Sequence, residues 1–556
     1  MQNNKEQQDK GSIRKESTDV LIVGGGAAAG RAAVEASKYG VKVVLVDKGK
    51  FGRSGSSPFA TAMSVSFPNE VDRNNNWERF VDDVVQSGCG LANPALAAIM
   101  AQESVPRFHD LEAFGGRFQR LRHEQTARVR AMGQSIPRSH PIDFRIGDYP
   151  LVLRKEALRR GVKTYEGVMI TRLLTNKSGA ACGAMGVSSQ GERYLFAAKT
   201  VVLACGSATK LYPFSSPAFR TTGDAMALGL RAGATAVDCE FTELTLTPVL
   251  NGLPLSSGGI GVMVRWGAKY LNSKGERFME RYDPVNLEAA NRAKVVEAVY
   301  QEIQAGRGPV ICDFREISKE KMEEKQGREN PVLAHKRRFV EALGYFPWAI
   351  VIHRLLGGLA VDEFGQTMVG NLFAIGESAG GIHGAARVAG NAVLETQVFG
   401  ARAGSQAARI AARQHRMVSL PEDQIEAETQ NLNRLLAPSE TSSTAAHITD
   451  AVQQTMDQHV NVFRTEEGLT RAVSKLEELR KESDERLRDP NIIAALEARN
   501  LALVGEMVAK AALLRRETRG CHRRADFPWT DNEHWQKHIG IRLERDGELH
   551  LSGLPV

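Results

Sequence analysis

The run Asp19-Val20-Leu21-Ile22-Val23 ends abruptly in Gly24-Gly25-Gly26, and this junction constrains the fold more than any other stretch of the chain. A short apolar run rich in β-branched residues reads as a buried strand. Small residues continue through Gly30, and Ala32, Ala33 and Ala36 then read as a helix. A second strand, Val41 to Val46, leads into Asp47. Such a βαβ unit opens a parallel sheet with both faces covered. Gly24-x-Gly26-x-x-Ala29 sits at its turn. Gly24 permits the tight bend, Gly26 lets backbone approach a pyrophosphate, and Ala29 keeps helix and strand close. The free N–H groups of the helix face the phosphates. Asp47 follows at the separation, about 20 residues, that places a carboxylate on a ribose hydroxyl. The fingerprint alone does not choose between FAD and NAD.

The chain has 556 residues, long enough for several domains. Its 52 Gly cluster at particular places without a collagen or low-complexity period, which excludes fibrous and disordered classes. The net charge of +7 is mild for this length. No long basic run carries interleaved aromatics, so nucleic acid is not implied. The six cysteines are scattered without C-x-x-C spacing, which argues against structural zinc or an iron–sulfur cluster within the chain. Met1 to Ser17 is polar and reads as a disordered tail without a secretory signal. No apolar stretch is long enough to span a membrane.

Sheet-like, glycine-rich sequence returns at residues 353–402 after a more charged stretch from about 246 to 345. The first domain is therefore expected to be discontinuous. Beyond about residue 420, Leu469, Val473, Leu476 and Leu479 recur at helical spacing, and Ile492 to Leu514 is a long apolar-periodic segment. The expected division is a tail at 1–17, a nucleotide domain at 18–245 and 346–415, an insertion at 246–345, a helical domain at 425–530, and a tail at 531–556.

Four further segments bear on the cofactor: Arg53-Ser54-Gly55-Ser56-Ser57, Leu203-Ala204-Cys205-Gly206-Ser207-Ala208, Thr222-Gly223-Asp224, and Ile375-Gly376-Glu377-Ser378-Ala379-Gly380-Gly381. Together with the fingerprint they resemble the flavoproteins of the succinate dehydrogenase/fumarate reductase family. That family includes L-aspartate oxidase and the flavoprotein subunit of adenylylsulfate reductase. The stretch from Arg516 to Pro528 is similar to the C-terminal signature of the family's complex II branch. The resemblance spans nearly the whole chain. It implies an α/β fold: a Rossmann-like FAD-binding domain, an inserted α+β capping domain, and a C-terminal helical domain. The cofactor positions it implies are Gly24, Gly26, Ala28, Asp47, Lys48, Ser54, Gly55, Ser56, Gly206, Thr222, Asp224, Glu377, Asn391 and Ala392. No metal site is expected. Covalent members of the family attach FAD through a His where this chain has Gly55, so the flavin is expected to be noncovalent.

The family binds a dicarboxylate between flavin and cap. Its His-x-x-x-Gly-Gly element is His353 to Gly358 here, and its His-Gly-Ala-x-Arg element is His383 to Arg387. Its proton-donating Arg matches Arg292. The resemblance thus assigns catalysis to Arg292, His353 and Arg387, and substrate contact to Thr245, Arg265 and His383. A guanidinium suits a carboxylate because it donates two parallel charge-assisted bonds.

Thr245 stands where dicarboxylate enzymes carry a His, and Gly261 and Val262 replace their Thr and Glu. The missing Glu belonged to the proton relay, for which Glu243 and Tyr270 are the substitutes considered. Val262 and Trp266 make that side more apolar. The expected reaction is hydride transfer between FAD and a carbon–carbon bond of an organic carboxylate other than succinate or fumarate. The alternatives are an adenylylsulfate-reductase-like or amino-acid-oxidase-like flavoenzyme, and a catalytically silent electron-transfer subunit. The expected partners are a carboxylate substrate and an iron–sulfur or quinone-linked subunit, or dioxygen as acceptor. The expected location is cytoplasmic, with any membrane association made through that partner.

Overall fold

The first strand, Ile13–Val23, pairs in parallel with Val43–Asp47 on one side and Arg193–Leu203 on the other. These contacts come from a computed structural model that describes residues 13–67, 77–120, 126–143, 149–216, 221–250, 252–254, 264, 267–290, 292–317, 344–417, 419–437 and 442–556. Its largest sheet has seven strands, with Lys163–Glu166 at one edge and the antiparallel pair Ala181–Ser188 and Val168–Thr175 at the other. The short strand Leu372–Ala374 returns to pair with the end of Arg193–Leu203. Sequence beyond residue 370 thus rejoins the sheet that the first strand opens.

The expected N-terminal tail is too long. Residues 13–17 continue the first strand because Ile13 through Ser17 find register partners in Arg193 through Ala197. Strand pairing satisfies their backbone and overrides a polar composition.

The helix Ala27–Ala36 follows the glycine turn and is buried along its whole length. It packs against a 23-residue helix, Asn391–Arg413, and both helices contact the sheet. Gly400 and Gly404 of the longer helix allow the approach: a Cβ on Gly404 would stand 2.5 Å from the Ala32 carbonyl oxygen. Alanines and glycines, rather than large apolar side chains, therefore set this interhelical distance.

The inserted domain is built on Thr242–Leu250 and Tyr345–Leu355, which pair antiparallel. Ile311–Asp313 and Lys269–Leu271 extend that sheet beyond Tyr345–Leu355. The helix Arg292–Gln304 belongs to the same unit. Both expected boundaries, 246 and 345, fall inside or at the end of these two strands, because the strands cross from one domain into the other.

Four helices follow: Glu422–Leu436, Ala445–His459, Glu466–Glu485 and Ile492–Leu514. The last matches the apolar-periodic segment read from the sequence. The final residues are no tail. His538–Leu543 and Leu549–Leu554 form a hairpin that joins Ala236–Val237 and Gly358–Leu359 in a four-stranded sheet. Among the described residues, no helix is long and apolar enough to cross a membrane.

Candidate functional site

The glycine turn opens into a cavity of about 560 Å³, within the range of small-molecule and cofactor sites. Gly24 has φ of +122°, and a Cβ there would lie 2.2 Å from the Ala204 carbonyl oxygen. Only glycine meets both demands. The helix that starts at Ala27 has no side-chain cap from Gly26, so its N-terminal amides line the cavity. Ser57 Oγ accepts from the Ala27 N–H at 3.0 Å.

Twelve of the fourteen expected cofactor positions line this cavity: Gly24, Gly26, Ala28, Asp47, Lys48, Ser54, Gly55, Ser56, Gly206, Asp224, Glu377 and Ala392. Thr222 and Asn391 stand behind its wall. Thr222 Oγ1 accepts from Lys48 Nζ at 2.7 Å and donates to Asp224 Oδ1 at 2.7 Å, so it braces two lining residues. Asn391 is the fully buried first residue of its helix.

Asp47 closes the second strand and accepts from Ser54 Oγ. Burial pushes its carboxyl above the usual range, against the pull of Ser54. Lys48 bridges Asp224 at 2.8 Å and Glu497 at 2.7 Å. Burial disfavours its charge, but those two carboxylates outweigh burial and raise its pKa. Ser56 Oγ and Glu377 Oε2 are buried lining atoms without a hydrogen-bond partner among the described residues. A helix N-terminus, a strand-end carboxylate and orphaned polar atoms around one cavity fit a dinucleotide. At Gly55, φ is +68° and a Cβ would meet nothing within 4 Å, so the wall there carries no side chain.

Beyond Glu377 lies a second cluster of charged groups. Arg354 Nη1 stands 3.7 Å from Glu377 Oε1, and Arg354 Nη2 stands 3.6 Å from Glu395 Oε2. His383 Nε2 meets the same Glu395 oxygen at 2.8 Å. His383 thus gives one ring nitrogen to an internal carboxylate, while Nδ1 has no hydrogen-bond partner among the described residues. Burial lowers its pKa, although Glu395 opposes the shift.

Glu243 joins the expected catalytic arginines. Its Oε1 is 2.7 Å from Arg292 Nη1, and its Oε2 accepts from Arg387 Nη2 at 3.0 Å. Burial works against the Glu243 charge, yet Arg292 and then Arg387 hold its pKa well below the carboxylate range. Arg292 is the first residue of its helix, and Arg387 lies on the loop before Asn391.

His353 reaches this cluster through a β-bulge. Glu243 pairs with Arg354 and Leu244 with Ile352, which leaves His353 as the extra residue. A bulge re-aims side chains next to the irregularity. His353 Nδ1 lies 2.6 Å from Ser216 Oγ. Burial, and then the Arg292 charge, push its pKa down to about 3, so the imidazole is neutral near pH 7.

Thr245 is buried two residues beyond Glu243 on the same strand. Arg265, Gly261, Val262 and Trp266 lie outside the described residues. Tyr270 sits elsewhere in the cap, edge-on to Trp348 with centroids 6.0 Å apart. Of the two relay substitutes considered from the sequence, Glu243 therefore touches the two expected catalytic arginines. Ser216, Arg354 and Glu395 were missed. Arg354 had a signal, since it directly follows His353, but Glu395 had none beyond being an acid flanked by Val393, Leu394 and Val398.

Residues 19–393 match the FAD binding domain family, and residues 449–556 match the family described as fumarate reductase flavoprotein C-term. The chain is 35% identical over 557 residues to a subunit of fumarate reductase (CoM/CoB) from Methanothermobacter marburgensis, covering 96% of this chain and 98% of that protein. It is 30% identical over 563 residues to L-aspartate oxidase of Streptomyces coelicolor, covering 97% and 94%. Among solved structures it is similar to Mycobacterium smegmatis Sdh1 in complex with UQ1, with a TM-score of 0.85 at 28% identity over 98% and 95% of the two chains.

Proposed function

The chain belongs to the FAD-binding flavoproteins of the fumarate reductase/succinate dehydrogenase family, and from that premise we propose that it moves hydride between noncovalent FAD and a carbon–carbon bond of an organic carboxylate other than plain succinate or fumarate. The observation that carries this reading is the convergence of Arg292, Arg387 and His353 on one buried cluster that reaches the cofactor cavity through Arg354 and Glu377. FAD bound in the cavity supplies a two-electron hydride donor and acceptor. Gly55 offers no atom for a covalent link, which supports noncovalent binding.

The protein groups have separable tasks. Arg387 and His353 hold the substrate carboxylate, and the guanidinium charge stabilises negative charge developing on the neighbouring carbon. His353 stays neutral and oriented by Ser216, so it donates or accepts a hydrogen bond without adding charge. Arg292 handles the proton at the opposite carbon. Glu243 Oε1, 2.7 Å from Nη1, holds the Arg292 guanidinium in place for that transfer. The buried setting of these groups excludes water and strengthens each charge. We place electron entry or exit with a separate protein, in keeping with the name of the Methanothermobacter relative, which describes one subunit of a larger reductase.

The test is anaerobic. The purified flavoprotein is reduced and mixed with a panel of unsaturated carboxylates while flavin reoxidation is followed. Reoxidation by at least one carboxylate, lost in Arg292→Ala, is the expected result. A panel without effect would overturn the reading and favour a silent electron-transfer role. Likeness to L-aspartate oxidase supports a second reading as an amino-acid oxidase, which predicts peroxide release with an amino acid in air.

A further inference from the structure

Glu243 is an internal anion placed on both guanidiniums that the proposed function assigns to substrate. It meets Arg292 at 2.7 Å and Arg387 at 3.0 Å, and its side chain is only 5% exposed. We propose that Glu243 sets the charge class of the substrate: it makes the clamp a monocarboxylate site and rejects four-carbon dicarboxylates. This inference rests on the proposed reading that Arg387 holds the substrate carboxylate and Arg292 stands beside it at the reacting carbon, and the two guanidiniums are here called the clamp.

The charge count comes first. Among the described residues, two guanidiniums face one internal carboxylate, which leaves a single positive charge for a ligand. The next cation, Arg354, is already shared between Glu377 and Glu395 at 3.7 and 3.6 Å. His353 adds none, since its ring is held neutral. One substrate carboxylate therefore balances the clamp. A second brings a like charge toward a buried carboxylate, where low dielectric makes repulsion costly.

Donor geometry agrees. Glu243 takes up only part of the two forks: among the described residues, the buried Nε atoms of Arg292 and Arg387 have no hydrogen-bond partner, and Arg292 Nη1 meets Glu243 as an ion pair only. Each fork has five N–H donors. Capacity for another planar carboxylate therefore remains, although the described residues offer no charge for two. Glu243 cannot readily leave the balance by taking a proton, because Arg292 and Arg387 oppose its protonation. Thr245, two residues along the same strand, contributes no cation on this side.

The experiment compares holoprotein of wild type, Glu243→Gln and Glu243→Asp. Each is titrated anaerobically, flavin oxidised, with fumarate and with crotonate, and dissociation constants are read from the flavin absorption band. The wild type is expected to bind crotonate more tightly than fumarate. In Glu243→Gln the ratio should move toward fumarate by about tenfold or more. Glu243→Asp keeps the charge and should keep the wild-type ratio, which a merely steric role would not. Tighter binding of fumarate by the wild type overturns the proposal without any variant. So does a ratio in Glu243→Gln within about twofold of wild type, or an equal shift in Glu243→Asp. If neither acid perturbs the flavin in any of the three proteins, the clamp reading itself falls. If both acids bind and the ratio stays fixed, only the role of Glu243 falls.

Discussion

At the residue scale, the site is an exercise in compensating buried charge. Breaking a buried ion pair on one side typically costs about 3–5 kcal/mol, because the survivor is left without a partner. Arg387→Met strands Glu243 Oε2, whose other partner, Arg292, remains on Oε1. The expected destabilisation is therefore toward the low end, about 3 kcal/mol. Glu243→Gln added to Arg387→Met should recover part of it, as urea unfolding of the three proteins would show. Additive losses would mean that the two residues do not interact. The histidines give a pH signature at the same scale. His140 packs edge-on against Phe67 and Phe108, each with centroids 5.3 Å away, and burial lowers its pKa from 6.5 to about 3. The unfolded imidazole takes up a proton below pH 6.5 and the folded one does not. Stability is therefore lost as pH falls from 6.5 toward 3. His140→Leu should flatten the pH dependence of unfolding free energy between pH 6.5 and 4.5 by up to about one proton. An unchanged slope would show that His140 is not held neutral.

At the element scale, close helix packing supports the cofactor end of the molecule. A Cβ at Gly404 would meet the Ala32 carbonyl oxygen at 2.5 Å, and backbone cannot yield as a flexible side chain can. Gly404→Ala should therefore cost about 1–3 kcal/mol. It should also lower flavin occupancy, because the displaced helix begins on the cavity wall. A normal melting temperature with full flavin content would contradict this. The glycine turn, both strands of the βαβ unit and the helix Ile492–Leu514 were legible because each obeys a local rule of periodicity or turn chemistry. The first strand's extension to Ile13 and the docking of the C-terminal hairpin on Ala236–Val237 were not, since those partners lie more than a hundred residues away. The site divides in the same way. Lining residues near glycines could be read locally. The bulge that leaves His353 unpaired depends on register between strands about a hundred residues apart, which composition does not encode. The contact of Glu243 with both arginines likewise exists only once the cap strand, the cap helix and the loop before Asn391 converge.

At the scale of the whole molecule, the C-terminal segment locks onto the strand that carries the site. Arg515 is fully buried and donates to Glu240 Oε1 at 2.6 Å, Glu517 Oε1 at 2.9 Å, and the carbonyl oxygens of Trp535 and Lys537 at 2.8 Å. Glu240 lies three residues before Glu243. Arg464 adds a bond from Nη1 to the Glu240 carbonyl oxygen at 2.7 Å, and Cys521 N–H donates to Ala385 O at 2.9 Å, two residues before Arg387. The helical domain and final hairpin thus hold both sides of the Glu243–Arg387 pair. A lysine has three donors on one atom and cannot reach four acceptors spread around a planar fork. Arg515→Lys should therefore leave buried acceptors unpaired and destabilise the protein by about 2–4 kcal/mol. Its consequence should extend beyond stability. If the C-terminal domain positions the cap strand, Arg515→Lys should weaken carboxylate binding, read from the flavin band, while flavin content stays near wild type. The cofactor cavity is walled by elements that Arg515 does not touch. Unaltered carboxylate affinity in a destabilised variant would make this network a structural tie alone. Loss of flavin in step with loss of carboxylate binding would instead show that the two sites share one cooperative unit.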